Sequence, residues 1–257
     1  MRVLCKCYEY LLGLYTVLCR GVESDWSKLL LDMYTKDQTP IQDHLDQALS
    51  QKCDAKWELL ILIPFRNLWD LTEKCLFHLN SQIIDSQIKM RTFLINNRSV
   101  LHSTNDLWAS AASLNPKLNI GTMSADYDFN YSILNNEGFR RFASSKTKRL
   151  LCLNNDVEVL DRTILQRMLN TIECLPEVGV VGCSLLYPSR RIQHLFVTPG
   201  VKIIAAHPLR GHLLNPNILW FAKPASVVPA VTDALMLVRN EDFIKVGMID
   251  ENLPLLG

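Results

Sequence analysis

The run WELLILIP, residues 57–64, constrains this chain more than any other segment. It is almost wholly apolar, too short to cross a bilayer, and dense in branched side chains. That is the signature of a strand covered on both faces, as in a parallel sheet. The next segment has the spacing of a helix: Leu68, Leu71, Cys75, Leu76 and Leu79. The alternation continues. MRTFLIN (90–96) reads as a second strand and LNIGTM (118–123) as a third. Tyr131–Phe142 reads as a helix, RLLCLN (149–154) as a strand, Thr163–Ile172 as a helix and VGVVGC (178–183) as a strand. Strand–helix repetition predicts an α/β sheet with right-handed, mostly parallel crossovers. Residues 184–226 read as irregular, with prolines at 188, 199, 208, 216 and 224. Then comes an apolar stretch at 227–238, and a short helix near Glu241–Val246.

Residues 1–55 read as a helical N-terminal extension, and 56–257 as one domain. In the extension, Val3, Cys7, Leu11, Leu14 and Leu18 share a helical face, behind Arg2 and Lys6. Glu9 interrupts the segment, no small-residue cleavage site comes after it, and it is too short to span a membrane. A helix packed on protein is the plain expectation; peripheral membrane contact through residues 1–20 is the alternative. The expected location is cytoplasmic, with the membrane periphery as the variant of it. A formal net charge of +1 over 257 residues offers no electrostatic case for nucleic acid. Eight cysteines without a C-x-x-C pair point to buried free thiols rather than zinc or disulfides.

In open α/β sheets ligands gather at the carboxyl ends of strands. Three such ends carry polar groups: Pro64-Phe65-Arg66-Asn67, Asn96-Asn97-Arg98-Ser99, and Asn154-Asn155-Asp156 with Glu158 beyond. One Asn-rich turn is only a turn; three in equivalent places suggest a site. A carboxylate and an amide oxygen just past a buried strand suit Mg²⁺ or Mn²⁺, whose remaining ligands come from phosphate and water. The same residues would equally cap the next helix. No P-loop, G-x-G-x-x-G or G-x-S-x-G is present. A phosphate-bearing ligand would therefore depend on a metal more than on a nest of backbone amides.

Six blocks in order carry a resemblance: LLILIPFRNLWDLTEKCLFHL (59–79), FLINNRS (93–99), DFNYSILNNEGFRRF (128–142), RLLCLNNDVEV (149–159), VGVVGCSLLYPSRRIQH (178–194) and VPAVTDALMLVRNEDFIKVGMIDENLP (228–254). The chain from about Trp57 to Pro254 resembles family 2 glycosyltransferases of the GT-A fold, of the rhamnosyltransferase and O-antigen type. The resemblance implies a nucleotide-diphosphate-sugar donor and a divalent cation. It implies inverting transfer to a hydroxyl of a glycan or lipid-linked acceptor, in polysaccharide biosynthesis. By position, Pro64, Phe65 and Arg66 would meet the nucleoside, and Asn96 stands where the family has an Asp that accepts from the uracil ring. Asn136 would approach the ribose and diphosphate. Asn154 and Asp156 fill the ends of the metal-binding D-x-D, and His194 and Asp233 lie on the acceptor side.

The departures are Asn for Asp at 96 and 154, Arg98 for a turn glycine, and Asp233 for the glycine of T-G-A. The family's general base is expected beyond Gly257, so the resemblance implies a C-terminally incomplete domain. The alternative is a catalytically incomplete module that binds a nucleotide sugar or a partner without transfer.

Overall fold

The computed structural model describes residues 57–100, 104–199, 205–207, 209–213 and 227–252. The extension expected over 1–55, and with it the membrane-contact reading, lies outside them. So does Gly257. Strand β1 (Trp57–Phe65) is followed by α1 (Trp69–Asn80), β2 (Ile88–Asn97), α2 (Thr104–Leu114), β3 (Ile120–Ala125) and α3 (Tyr131–Phe142). Then come β4 (Thr147–Leu153), α4 (Ile164–Cys174), β5 (Val180–Gly182), and two short pairs. These are β6 (Leu185–Leu186) with β7 (Ile192–His194), and β8 (Thr198–Pro199) with β9 (Ala205–Ala206). Strand β10 (Leu235–Arg239) runs into α5 (Asn240–Lys245).

The main sheet has the order β3-β2-β1-β4-β10-β5. Strands β3, β2, β1 and β4 are parallel to their neighbours, and β10 is antiparallel to β4. The apolar run at 59–63 is the centre of this sheet: Leu59, Leu60, Ile61, Leu62 and Ile63 are each 0% exposed. Strands on both sides and helices over the faces explain why no alternation appears in the sequence. On one face Leu60, Leu62, Ile95, Leu150 and Cys152 pack with Leu134 and Phe139 of α3 and Phe243 of α5. Gly138 lets α3 come close, since a Cβ there would sit 2.8 Å from Ile95 Cδ1. Pro64 is tolerated in a central strand because the β1–β4 register ends earlier, at Leu62 and Cys152.

Three elements differ from the expectation. Helix α2 has no counterpart in it, because WASAASL offers little contrast between its faces: of residues 109–114 only Ala111 is buried. Residues 184–226 are not wholly irregular, since they contain the two short antiparallel pairs. The apolar 227–238 stretch becomes a strand only from Leu235.

The chain divides into two compact units. Among the described residues, one holds Trp57–Glu173, Gly179–Val181 and Asp233–Asn252. The other holds Cys174–Val178 and the described part of Gly182–Thr232.

Candidate functional site

Parallel pairing brings the carboxyl ends of β2, β1 and β4 to one edge of the sheet. The loop leaving β4 begins the site. The backbone N–H of Asn154 donates to the Ala234 carbonyl at 2.9 Å, and its carbonyl accepts from the Cys75 thiol at 3.7 Å. The Asn155 amide donates to Thr72 Oγ1 at 3.0 Å, and His78 Nε2 lies 3.5 Å from Glu158. Gln82, 1% exposed, donates to the carbonyls of Val159 and Asp161 and accepts from the Leu165 N–H. Thr72, Cys75, His78 and Gln82 recur every three or four positions, so one line along α1 and its exit grips the whole loop. Burial, with the carboxylates of Asp156 and Glu158, pushes the Cys75 thiol up to about 12. It therefore stays protonated and able to donate.

Two groups are left over. Asp156 is exposed and its carboxylate has no partner among the described residues, and neither has the half-buried side chain of Asn154. One carboxylate and one amide oxygen are hard donors. They suit a cation that completes its shell from diphosphate and water rather than one held in an all-protein cage. No group of three or more His, Cys, Asp or Glu that could hold a metal is gathered among the described residues. By donor chemistry alone, the Asp156 carboxylate and the Asn154 amide oxygen fit Mg²⁺ or Mn²⁺ bound together with a phosphate.

The ends of β1 and β2 are laced together. Asn67 donates its N–H to Ser99 Oγ at 2.8 Å and accepts the Val100 N–H on Oδ1 at 2.9 Å. The Ser99 N–H donates to Asn96 Oδ1 at 3.0 Å. Asn67, Leu68 and Arg98 all have left-handed backbones, with φ of 54, 48 and 52°. Arg98 thus takes the conformation a glycine would take, and its guanidinium binds Asp126 and Asp128 at 2.8 Å each. Pro64 and Phe65 are buried, Phe65 standing edge-on to Trp69 with centroids 5.7 Å apart; Arg66 is exposed.

Two expected site residues are buried and hydrogen-bonded within the protein. Asn136 is 1% exposed and its amide is consumed. It donates to the Ile249 carbonyl at 2.7 Å and Glu251 Oε1 at 2.9 Å, and accepts the Ile249 N–H at 3.1 Å. It clamps 249–251, reinforced by Arg140 at 2.7 Å from Glu251, and both of its N–H donors are taken. These bonds from Asn136 and Arg140 hold the Glu251 carboxyl below its usual range. His194 belongs to the second unit and is 1% exposed. Its Nε2 accepts the Thr232 N–H at 3.3 Å, so Nδ1 carries the proton and faces His207 Nδ1 at 2.9 Å. Burial, then the neighbouring His207, pushes its pKa down to about 4. It is a neutral, buried histidine with a partner on each ring nitrogen.

Asp233 opens the β10 segment. Its carbonyl accepts from the Tyr131 hydroxyl at 2.9 Å, one residue before the carbonyl that holds Asn154. Burial pushes the Tyr131 phenol well up, so it remains a donor. Asn67 and Ser99 were legible only as polar strand ends and Cys75 only as part of a helical face, while Thr72, His78 and Gln82 went unread in the sequence. Only the spacing along α1, shared with Cys75, could have pointed to those three.

No protein-family model matches the chain. It is 30% identical over 203 residues to O-antigen biosynthesis protein RfbC of Myxococcus xanthus, a stretch that is 77% of this chain but 15% of that protein. The chain therefore spans well under a fifth of the length of that relative. Among solved structures it is similar to the mannosyltransferase PcManGT of Pyrobaculum calidifontis, in complex with GDP-Man and Mn²⁺. There the TM-score is 0.52 at 12% identity, over 88% of this chain and 59% of that one. It is also similar to GalNAc-T7 with UDP, GalNAc and Mn²⁺, with a TM-score of 0.58 at 13% identity, over 78% of this chain and 38% of that one. At such identities the likeness is one of fold, and the O-antigen relative adds the sequence. The chain has the mixed α/β architecture of GT-A glycosyltransferase folds, and its sequence is similar to an O-antigen biosynthesis protein.

Proposed function

We propose that this chain binds a nucleotide-diphosphate sugar together with Mn²⁺ or Mg²⁺ and transfers the sugar, with inversion, to a hydroxyl of a glycan or lipid-linked acceptor. The observation that carries the reading is Asp156: an exposed carboxylate without a described partner, on a loop whose other groups are fastened to α1 and to Ala234. A carboxylate left free on a fixed loop at the carboxyl edge of a parallel sheet is placed to receive a ligand. Two proteins of similar fold hold Mn²⁺ with a nucleotide or nucleotide sugar, which supports the choice of ligand.

Asp156 and the Asn154 side chain would hold the cation, and the ends of β1 and β2, at Pro64, Phe65, Arg66 and Asn96, the nucleoside. Once bound, the cation neutralises charge on the departing diphosphate. The protein keeps the loop from shifting as that charge develops, through Thr72, Cys75 and the Ala234 carbonyl. Asp233, beside Asn154, lies on the acceptor side.

Calorimetry with nucleotide sugars, with and without Mn²⁺, tests this. Asp156→Ala should abolish the metal-dependent part of binding and leave the melting temperature unchanged; metal-dependent binding that persists in the variant refutes the assignment. A second reading is binding without transfer: Glu251, a carboxylate that could otherwise take an acceptor's proton, is already held by Asn136 and Arg140. Metal-dependent donor binding with no sugar release in the presence of acceptors would select it.

A further inference from the structure

We infer that Asn96 meets the base of the bound nucleotide as a hydrogen-bond donor, so that the base turns an acceptor, a carbonyl oxygen or an unprotonated ring nitrogen, toward the end of β2. This rests on the reading that the ends of β1 and β2 hold the nucleoside.

An asparagine amide can present either its oxygen or its NH₂, and the two ends demand opposite partners. Here the choice is made by the main chain. The Ser99 N–H lies 3.0 Å from the amide oxygen of Asn96, and an N–H can face only the oxygen. The NH₂ is left with two hydrogens and no partner among the described residues, on a half-buried side chain. In the sheet register Asn96 stands beside Phe65 of β1 and Ser124 of β3, and register partners share a face. The free NH₂ therefore shares its face with the buried Phe65 ring at the strand ends.

The frame around it resists rearrangement. Asn97 points to the opposite face and fixes the strand end through the carbonyls of Ala125 and Tyr127, at 3.3 and 2.8 Å. Arg98 is held by Asp126 and Asp128, and Ser99 Oγ by the Asn67 N–H. Turning the amide over to offer its oxygen would oppose its NH₂ to the Ser99 N–H. A base presenting an N–H to the free end of Asn96 would meet hydrogens with hydrogens. A base presenting an acceptor makes the bond without disturbing the turn.

The test is titration calorimetry of the full chain, in the presence of Mn²⁺, with the diphosphates of uridine, cytidine, thymidine, guanosine and adenosine, and then of Asn96→Asp with the best of them. The carboxylate can still accept the Ser99 N–H, so the turn is kept, but its free oxygen has lost both hydrogens. The expected result is an affinity at least tenfold lower at an unchanged melting temperature. Equal or tighter binding by Asn96→Asp overturns the inference while leaving the nucleotide reading intact. Failure of the unaltered protein to bind any of the five overturns both. Should the variant not fold, the ¹⁵N-resolved Asn96 side-chain protons of the unaltered protein decide. They should move downfield on adding the preferred diphosphate, and unmoved protons overturn the inference.

Discussion

The Asn155 amide nitrogen lies 3.0 Å from the Thr72 hydroxyl, 83 residues away in sequence, and donates a hydrogen bond to it. Thr72 is 0% exposed, so a buried hydroxyl is committed to holding a surface loop. Thr72→Val keeps the shape and removes the acceptor. It should cost about 1 kcal/mol of stability and weaken Mn²⁺-dependent donor binding severalfold, with metal-free nucleotide binding unchanged. Thr72→Ser should restore both. Denaturant titration and calorimetry check the two effects separately.

Asn136 tests the boundary between site and scaffold. Asn136→Ala strips three hydrogen bonds from the clamp on Ile249 and Glu251. The expected loss is roughly 2–4 kcal/mol in a urea titration. The protein that remains folded should bind nucleotide with unaltered affinity. A selective loss of nucleotide affinity at unchanged stability would return Asn136 to the site.

The second unit should weaken in acid. The His194 pKa is depressed from an ordinary 6.5 to about 4, first by burial and then by His207. The neutral ring is what the fold selects. Its contribution is therefore complete above pH 6.5 and is lost as the pH falls toward 4, a difference of about 3 kcal/mol. An NMR titration of the His194 Cε1 proton should show a midpoint near the depressed value; an ordinary midpoint would contradict the burial of the ring.

Leu68 is 65% exposed with φ 48°. A residue with a Cβ is strained in a left-handed backbone that glycine adopts freely. Leu68→Gly should raise stability by about 1 kcal/mol, measured by denaturant titration, against the usual penalty for glycine.

The parallel core could be read from the sequence because burial on both faces leaves an unbroken apolar run, as at Leu59–Ile63. Helix α2 could not, because alanine and serine give it no apolar stripe. At the site, the sequence marked the three polar strand ends but not how each side chain is used. Asn136, Asn155 and Asp156 look equally available in one dimension. Only packing separates them: Asn136 faces Ile249, Asn155 faces Thr72, and Asp156 faces solvent. Likewise Asn96 reads as an acceptor until the Ser99 N–H is found on its oxygen.

The antiparallel insertion of β10 beside β4 also sets a timetable for the growing polypeptide. Asn154 cannot take its final place until Ala234 arrives, far later in the chain, to receive its N–H. A ribosome will have released most of the parallel strands before the loop bearing Asp156 can set. The anchoring of that loop is therefore a long-range event, settled only when β10 joins the sheet.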